Sequence, residues 1–72
     1  MRSENFLNVG DNIRMARKSL GITQKEMAAR LGVYQKDVSR WENGVLLPTL
    51  EVFRSICEVL GVSADELLEL KK

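Results

Sequence analysis

Four glycines partition this sequence more sharply than any other feature in it. Gly21, Gly32, Gly44 and Gly61 each follow a helix-length segment whose apolar residues recur at helical spacing. Glycine takes the left-handed conformation that closes a helix at little steric cost. This punctuation predicts five short helices. The single proline, Pro48, falls in the connection after Gly44, where it interrupts none of them. Alternating runs of β-branched residues, the mark of half-buried strands, are absent, and so are internal repeats and low-complexity stretches. The connections are short. The expected fold class is all-α, a compact five-helix bundle.

The first helix is expected over about residues 9–20, with Val9, Ile13, Ala16 and Leu20 on one face, Asn8 as N-cap and Asp11 in the first turn. The second, over about 24–31, opens on the capping-box pair Thr23 and Glu26 and buries Met27, Ala28 and Leu31. The third spans about 35–43, between Gly32-Val33-Tyr34 and Gly44. The fourth, over about 50–60 with Thr49 as N-cap, has a broad apolar arc that includes Leu50, Val52, Phe53, Ile56 and Leu60. That breadth marks it as the central buried helix. The fifth starts at a second capping box, Ser63 to Glu66, and carries Leu67, Leu68 and Leu70. Residues 1–8 read as an N-terminal arm and 9–70 as one domain. Met15 and Met27 read as packing residues, and Cys57 as a small buried hydrophobe.

Several function classes fall away. A chain of 72 residues holds one small domain. One cysteine rules out an intramolecular disulfide framework, and without histidine a zinc site would need an unusual ligand set, so no metal or other cofactor is expected. Cys57 has no histidine to activate it, and no phosphate loop or nucleophile–base pair is visible, so no catalytic residue is assigned. The longest apolar run, Val45 to Pro48, is far too short to span a membrane, and Met1 to Asn5 lead into no signal-peptide stretch. A soluble, cytoplasmic protein is expected. Lacking staples, a chain this short depends on close helix packing or on oligomerisation.

The net charge of +1 conceals an asymmetry: residues 1–40 sum to +4 and residues 41–72 to −3. That distribution suits a polyanion on one face, and it equally suits an accident of surface composition.

The connection between helices two and three, Gly32-Val33-Tyr34, is about three residues long, which forces a steep crossing of helix-turn-helix type. Ala28 supplies the small residue at the close approach, Gly32 the turn, and Val38 and Trp41 the apolar plugs from helix three. Trp41 therefore belongs to the core rather than to base stacking. Opposite these plugs project Lys36, Ser39, Arg40 and Asn43, with Gln35 on the flank. Glutamine can pair bidentately with adenine, and arginine or lysine with guanine. Any solvent face is polar, yet this arc carries no carboxylate; Asp37 and Glu42 lie to either side of it.

Residues 9–68 resemble the lambda-repressor-like (Cro-type) helix-turn-helix family. The resemblance rests on Ile13 to Arg17, on Ile22 to Ala28, on Leu31-Gly32-Val33 and on Val38 to Gly44. It continues through Pro48 to Glu51, Leu60 to Ser63, and Leu67-Leu68. It implies five helices with helix three in the major groove. It also implies that Gln24 binds phosphate and buttresses helix three, and that Gln35, Lys36 and Arg40 touch base edges. Ser39 would meet a base or sugar, and Asn43 would lie near the phosphate backbone. Arg17 and Glu42 match a pair that ties helix one to helix three; nothing else in the sequence joins them. Two features depart from the pattern. Tyr34 stands where serine or threonine usually caps helix three, so its ring would cover the turn or its hydroxyl would approach a phosphate. Val45-Leu46-Leu47 stands where basic residues are frequent.

The expectation is a sequence-specific regulator of transcription, a repressor that binds double-stranded DNA at a palindromic operator as a homodimer. The dimer contact is expected around Leu46, Leu47, Leu67 and Leu70. Arg14, Lys18, Lys25, Lys36 and Arg40 are the candidate phosphate cations. Two alternatives stand beside it. One is an antitoxin or restriction–modification controller of the same fold; an antitoxin would add a protein partner. The other is an interaction module that binds no DNA.

Overall fold

The computed structural model describes residues 8–69. The helices are α1 (Val9–Ser19), α2 (Gln24–Leu31), α3 (Gln35–Glu42), α4 (Leu50–Leu60) and α5 (Ala64–Leu68). No strand occurs among the described residues. Apart from Asn8, the expected arm lies outside the described residues, and so does Leu70.

Local chemistry closes the ends as the side chains dictate. Thr23 Oγ1 accepts the Glu26 N–H at 3.0 Å, while Glu26 Oε1 accepts the Thr23 N–H at 2.8 Å. Ser63 and Glu66 repeat the box at 3.1 and 2.9 Å, and Thr49 Oγ1 accepts the Val52 N–H at 3.2 Å. Each such cap contributes about 1 kcal/mol. Asn8 departs from expectation. Its backbone is already helical (φ −83°, ψ −3°), so its side chain makes no capping bond; the amide reaches Glu69 Oε1 at 3.5 Å instead. Asn12 also faces α5, donating to Leu67 O at 2.8 Å and Glu69 Oε2 at 2.9 Å. A carbonyl at the end of α5 is thereby satisfied from α1.

The core is Val9 and Ile13 of α1, Met27 and Ala28 of α2, Val38 and Trp41 of α3, Phe53, Ile56 and Leu60 of α4, and Leu67 of α5. α3 packs on both α1 and α2, α4 on α2 and α5, and α5 on α1. Ile13, Met27, Val38 and Ile56 are sealed from water. Burial of an aliphatic side chain of this size contributes about 1.5–3 kcal/mol.

Several sequence expectations fail here. α4 is less covered than its broad apolar arc implies: Phe53, Ile56 and Leu60 are buried and Val52 and Cys57 pack partly against the core, but Leu50 at its first position is 84% exposed. With α1, α2 and α3 already gathered around Ile13, Met27 and Val38, α4 closes one side of the core and its flank faces outward. Leu20 ends up in the C-cap of α1 rather than on its buried face, and Met15 points away from the bundle; both are exposed. Leu67, expected at a dimer contact, is instead 2% exposed within the core, because Asn12 draws α5 down onto α1. It is not available to a partner. Cys57 is half-buried against the core, and burial pushes its thiol above the ordinary range.

Candidate nucleic-acid interface

The turn between α2 and α3 is built on Gly32, whose φ of 75° is left-handed. In that conformation the N–H groups of Gly32 and Val33 both reach Ala28 O, at 2.8 and 3.0 Å. A side chain at position 32 would strain this backbone. Tyr34 follows as N-cap of α3. Its side chain makes no capping bond; Asp37 Oδ2 accepts the Tyr34 N–H at 3.3 Å from the helix side. Asp37 also places negative charge at the positive end of α3. Tyr34 is 74% exposed, so most of its side chain stands in solvent at the head of α3.

From this start α3 divides into two faces. Val38 and Trp41 point into the core. Gln35, Lys36, Arg40 and Asn43 are exposed on the other side, with Ser39 half-buried between them. The structure thus gathers five of the expected site residues on one helix face, with Tyr34 at its head. Arg40 lies 3.8 Å from Asp37 in a solvent-exposed i,i+3 pair, an interaction too weak to hold the guanidinium back from an anion.

Gln24 lies apart, on α2. Its Nε2 donates to Glu42 Oε1 at 3.0 Å, so the side chain does brace α3. Glu42 is the hub of this junction and is 2% exposed. Arg17 grips it with two parallel bonds, Nε to Oε2 at 2.6 Å and Nη2 to Oε1 at 3.0 Å, and donates its Nη1 to Ile22 O at 2.8 Å. Burial opposes ionisation of Glu42, but the hydrogen bonds from Arg17 and Gln24 and the charges of Arg17 and Arg14 outweigh it. The carboxyl is held below the usual range. The hydrogen bond to Glu42 in turn raises Arg17, against the opposing effect of burial. The pair is ionised and geometrically complete, as a buried ion pair must be.

Two residues of the junction escaped the sequence reading. Gly10 sits where α1 crosses the end of α3, and a Cβ there would run into Trp41 O and Glu42 O. The available signal was its position: among the five glycines it is the one placed at the start of a helical pattern rather than behind one. Arg14, expected as a phosphate cation, reaches from α1 to the end of α3 and stays partly exposed. Its Nη2 donates to Glu42 O at 2.9 Å and to Asn43 Oδ1 at 3.1 Å, and its Nη1 lies 3.5 Å from Asp11. A guanidinium at this end of α3 satisfies a terminal carbonyl and complements the helix dipole.

A family model described as helix-turn-helix matches residues 13–67. This chain belongs to the lambda-repressor-like helix-turn-helix family. The P22 c2 repressor, solved in complex with a synthetic operator, superposes with a TM-score of 0.82 at 32% identity, over 88% of this chain and 96% of that one. The uncharacterized HTH-type transcriptional regulator y4dJ of Sinorhizobium fredii is 38% identical over 60 residues, 83% of this chain and 78% of y4dJ. Antitoxin PezA of Streptococcus pneumoniae is 36% identical over 55 residues, 76% of this chain but only 35% of PezA. The five-helix fold is that of the family, and α2 and α3 are its helix-turn-helix pair. Among the described residues no helix is long and apolar enough to cross a membrane.

Proposed function

We propose that this chain is a sequence-specific DNA-binding regulator of transcription, a cytoplasmic repressor that lays α3 in the major groove. The observation that carries the reading is the outward face of α3. It is free of carboxylates, rich in base-pairing side chains, and held rigidly from behind by Glu42, Arg17 and Gln24. Gln35, Lys36 and Arg40 read base edges. Gln24, the Tyr34 hydroxyl and the Asn43 amide approach phosphates and fix the register. Asn43 has one N–H left for this after its bond to Ser39. The family membership and the operator bound by the P22 c2 repressor support the same reading.

The regulator acts as a homodimer on a palindromic site. Val45, Leu46, Leu47 and Leu50 are all at least half exposed. Beside them an apolar groove of about 210 Å³ is lined by Val9, Leu47, Pro48, Leu50, Phe53 and Leu68. A contiguous apolar surface of this kind marks an association site. With Leu67 withdrawn into the core, the contact is built from Leu46, Leu47, Leu50 and Leu68, and it sets two α3 helices about one DNA turn, roughly 34 Å, apart.

The similarity to Antitoxin PezA favours a second reading, in which the same apolar surface takes a protein partner while α3 still binds DNA.

Selection of bound sequences from a random duplex library tests the DNA reading and the palindrome together. A two-fold symmetric motif is expected. Gln35→Ala or Arg40→Ala should relax it at individual base pairs, at a cost of about 1–3 kcal/mol each. Enrichment of no motif, with binding that ignores salt, would sink the reading and leave the interaction module.

A further inference from the structure

We infer that Arg14 is the positioning residue that lets the C-terminal end of α3 receive a DNA phosphate, and that it acts through the Asn43 amide rather than by touching the phosphate itself. The inference rests on the DNA-binding reading above, in which Asn43 approaches the backbone. The C-terminal end of a helix is a poor place for an anion, because its last carbonyls lack helical donors and its dipole is negative there. At the end of α3 one guanidinium covers two oxygens. Arg14 Nη2 donates to Glu42 O at 2.9 Å and to Asn43 Oδ1 at 3.1 Å. Asp11, at 3.5 Å, and Glu42 Oε1, also at 3.5 Å, hold the guanidinium there.

An arginine fork has donors and no acceptor, whereas an asparagine amide has both. Asn43 therefore meets Arg14 with its oxygen. Its nitrogen faces the preceding turn of α3, where it donates to Ser39 Oγ at 3.2 Å. Ser39 does not choose this orientation, because a hydroxyl can accept from an amide nitrogen or donate to an amide oxygen. Of the two partners, Arg14 alone fixes the flip. The Asn43 nitrogen carries two hydrogens, and Ser39 takes one. The other, on an exposed residue, is the donor left for a phosphate oxygen. Without Arg14, Glu42 O loses this donor, the amide nitrogen can turn inward to replace it, and Oδ1 then meets the phosphate as one more acceptor. Arg14 thus turns an acceptor end of the helix into a donor without adding a phosphate contact of its own.

The test measures binding of the full chain and its variants to the selected site and to mismatched duplexes, each as a function of salt. Arg17 and Gln24 still bond Glu42 when Arg14 is changed, and a thermal melt checks that each variant folds. Arg14→Gln offers Asn43 both a donor and an acceptor, so it no longer selects the flip. It should weaken binding about 3- to 10-fold on every sequence, the range of one hydrogen bond, and leave the selected motif intact. Asn43→Ala should do the same, and the double variant should lose no more than either. Asn43→Asp keeps the bond to Arg14 but turns a carboxylate toward the phosphate, and it should lose more than Asn43→Ala. The slope of log affinity against log salt should not change with Arg14→Gln, because this cation neutralises no phosphate. Should Arg14→Gln fail to fold, Ser39→Ala decides: Arg14 is then the remaining partner of the amide, and Asn43→Ala should cost as much beside it as in wild type. Four results would overturn the inference: a salt slope reduced by about one on Arg14→Gln, additive losses from Arg14 and Asn43, an Asn43→Asp variant that binds as well as wild type, or a Ser39→Ala background in which Asn43→Ala costs nothing. A wild-type chain that selects no motif removes the DNA reading itself and this inference with it, and that outcome shows before any variant is made.

Discussion

The junction of α1, α2 and α3 and the connector from Val45 to Leu50 invert the usual partition of residues in opposite ways. At the junction a carboxylate and a guanidinium are buried, and every bond they need comes from within the chain. In the connector, Val45, Leu46 and Leu47, together with Leu50 at the head of α4, stand in water, while the groove beside them is lined by apolar groups. Charge is normally outside and leucine inside. A buried, saturated ion pair fixes the relative geometry of the helices it joins, because any slippage leaves a charge unpaired. Exposed leucines fix nothing within the chain and gain free energy only from what covers them. The first region shapes the outward face of α3, which we propose meets DNA, and the second is the surface that we propose a second copy covers.

The largest effect that separates the two regions should come from Glu42. Glu42→Ala strands the buried Arg17 and should cost about 3–5 kcal/mol by chemical or thermal unfolding. A loss below about 1 kcal/mol would mean that the pair is no keystone. The same group sets a pH dependence. Its folded carboxyl titrates below the usual value, so its contribution is present above the unfolded-state carboxyl range and is lost as pH falls through the folded value. Unfolding measured on the acid side should therefore show a steeper loss for wild type than for Glu42→Gln; equal slopes would contradict the buried, ionised state.

Next comes Gly10→Ala, which forces α1 away from the carbonyls of Trp41 and Glu42. About 1–3 kcal/mol should be lost, although alanine is otherwise the better helix former. A stabilised variant would show that the close approach is not real. The smallest effect on stability belongs to the connector. Leu46→Lys and Leu50→Lys should change unfolding free energy by no more than about 0.5 kcal/mol. They should nevertheless lower the mass seen in sedimentation or abolish cooperative binding to paired half-sites. Unchanged cooperativity would place the dimer contact elsewhere.

Ends and turns of the helices could be read without a structure because their causes are local. Thr23 with Glu26, Thr49, and Ser63 with Glu66 cap within three or four residues of themselves, and Gly32 closes α2 through its own φ. The two faces of α3 follow from its period, so Val38 and Trp41 fall inward and Lys36, Ser39 and Arg40 outward. Arg17 and Glu42 lie 25 residues apart, and only the family resemblance joined them before the structure did. Periodicity says which residues of a helix share a face; it does not say how much of that face a neighbour covers. Leu20, Leu50 and Met15 are exposed and Leu67 is buried because the packing of α1, α4 and α5 decided how far each stripe is covered. Gly10 and Arg14 were decided in the same way. One is defined by the carbonyls that α3 brings against it and the other by an amide on another helix. Those partners exist only once the chain has folded, since donors and acceptors distant in sequence acquire a geometry from the packed helices that carry them.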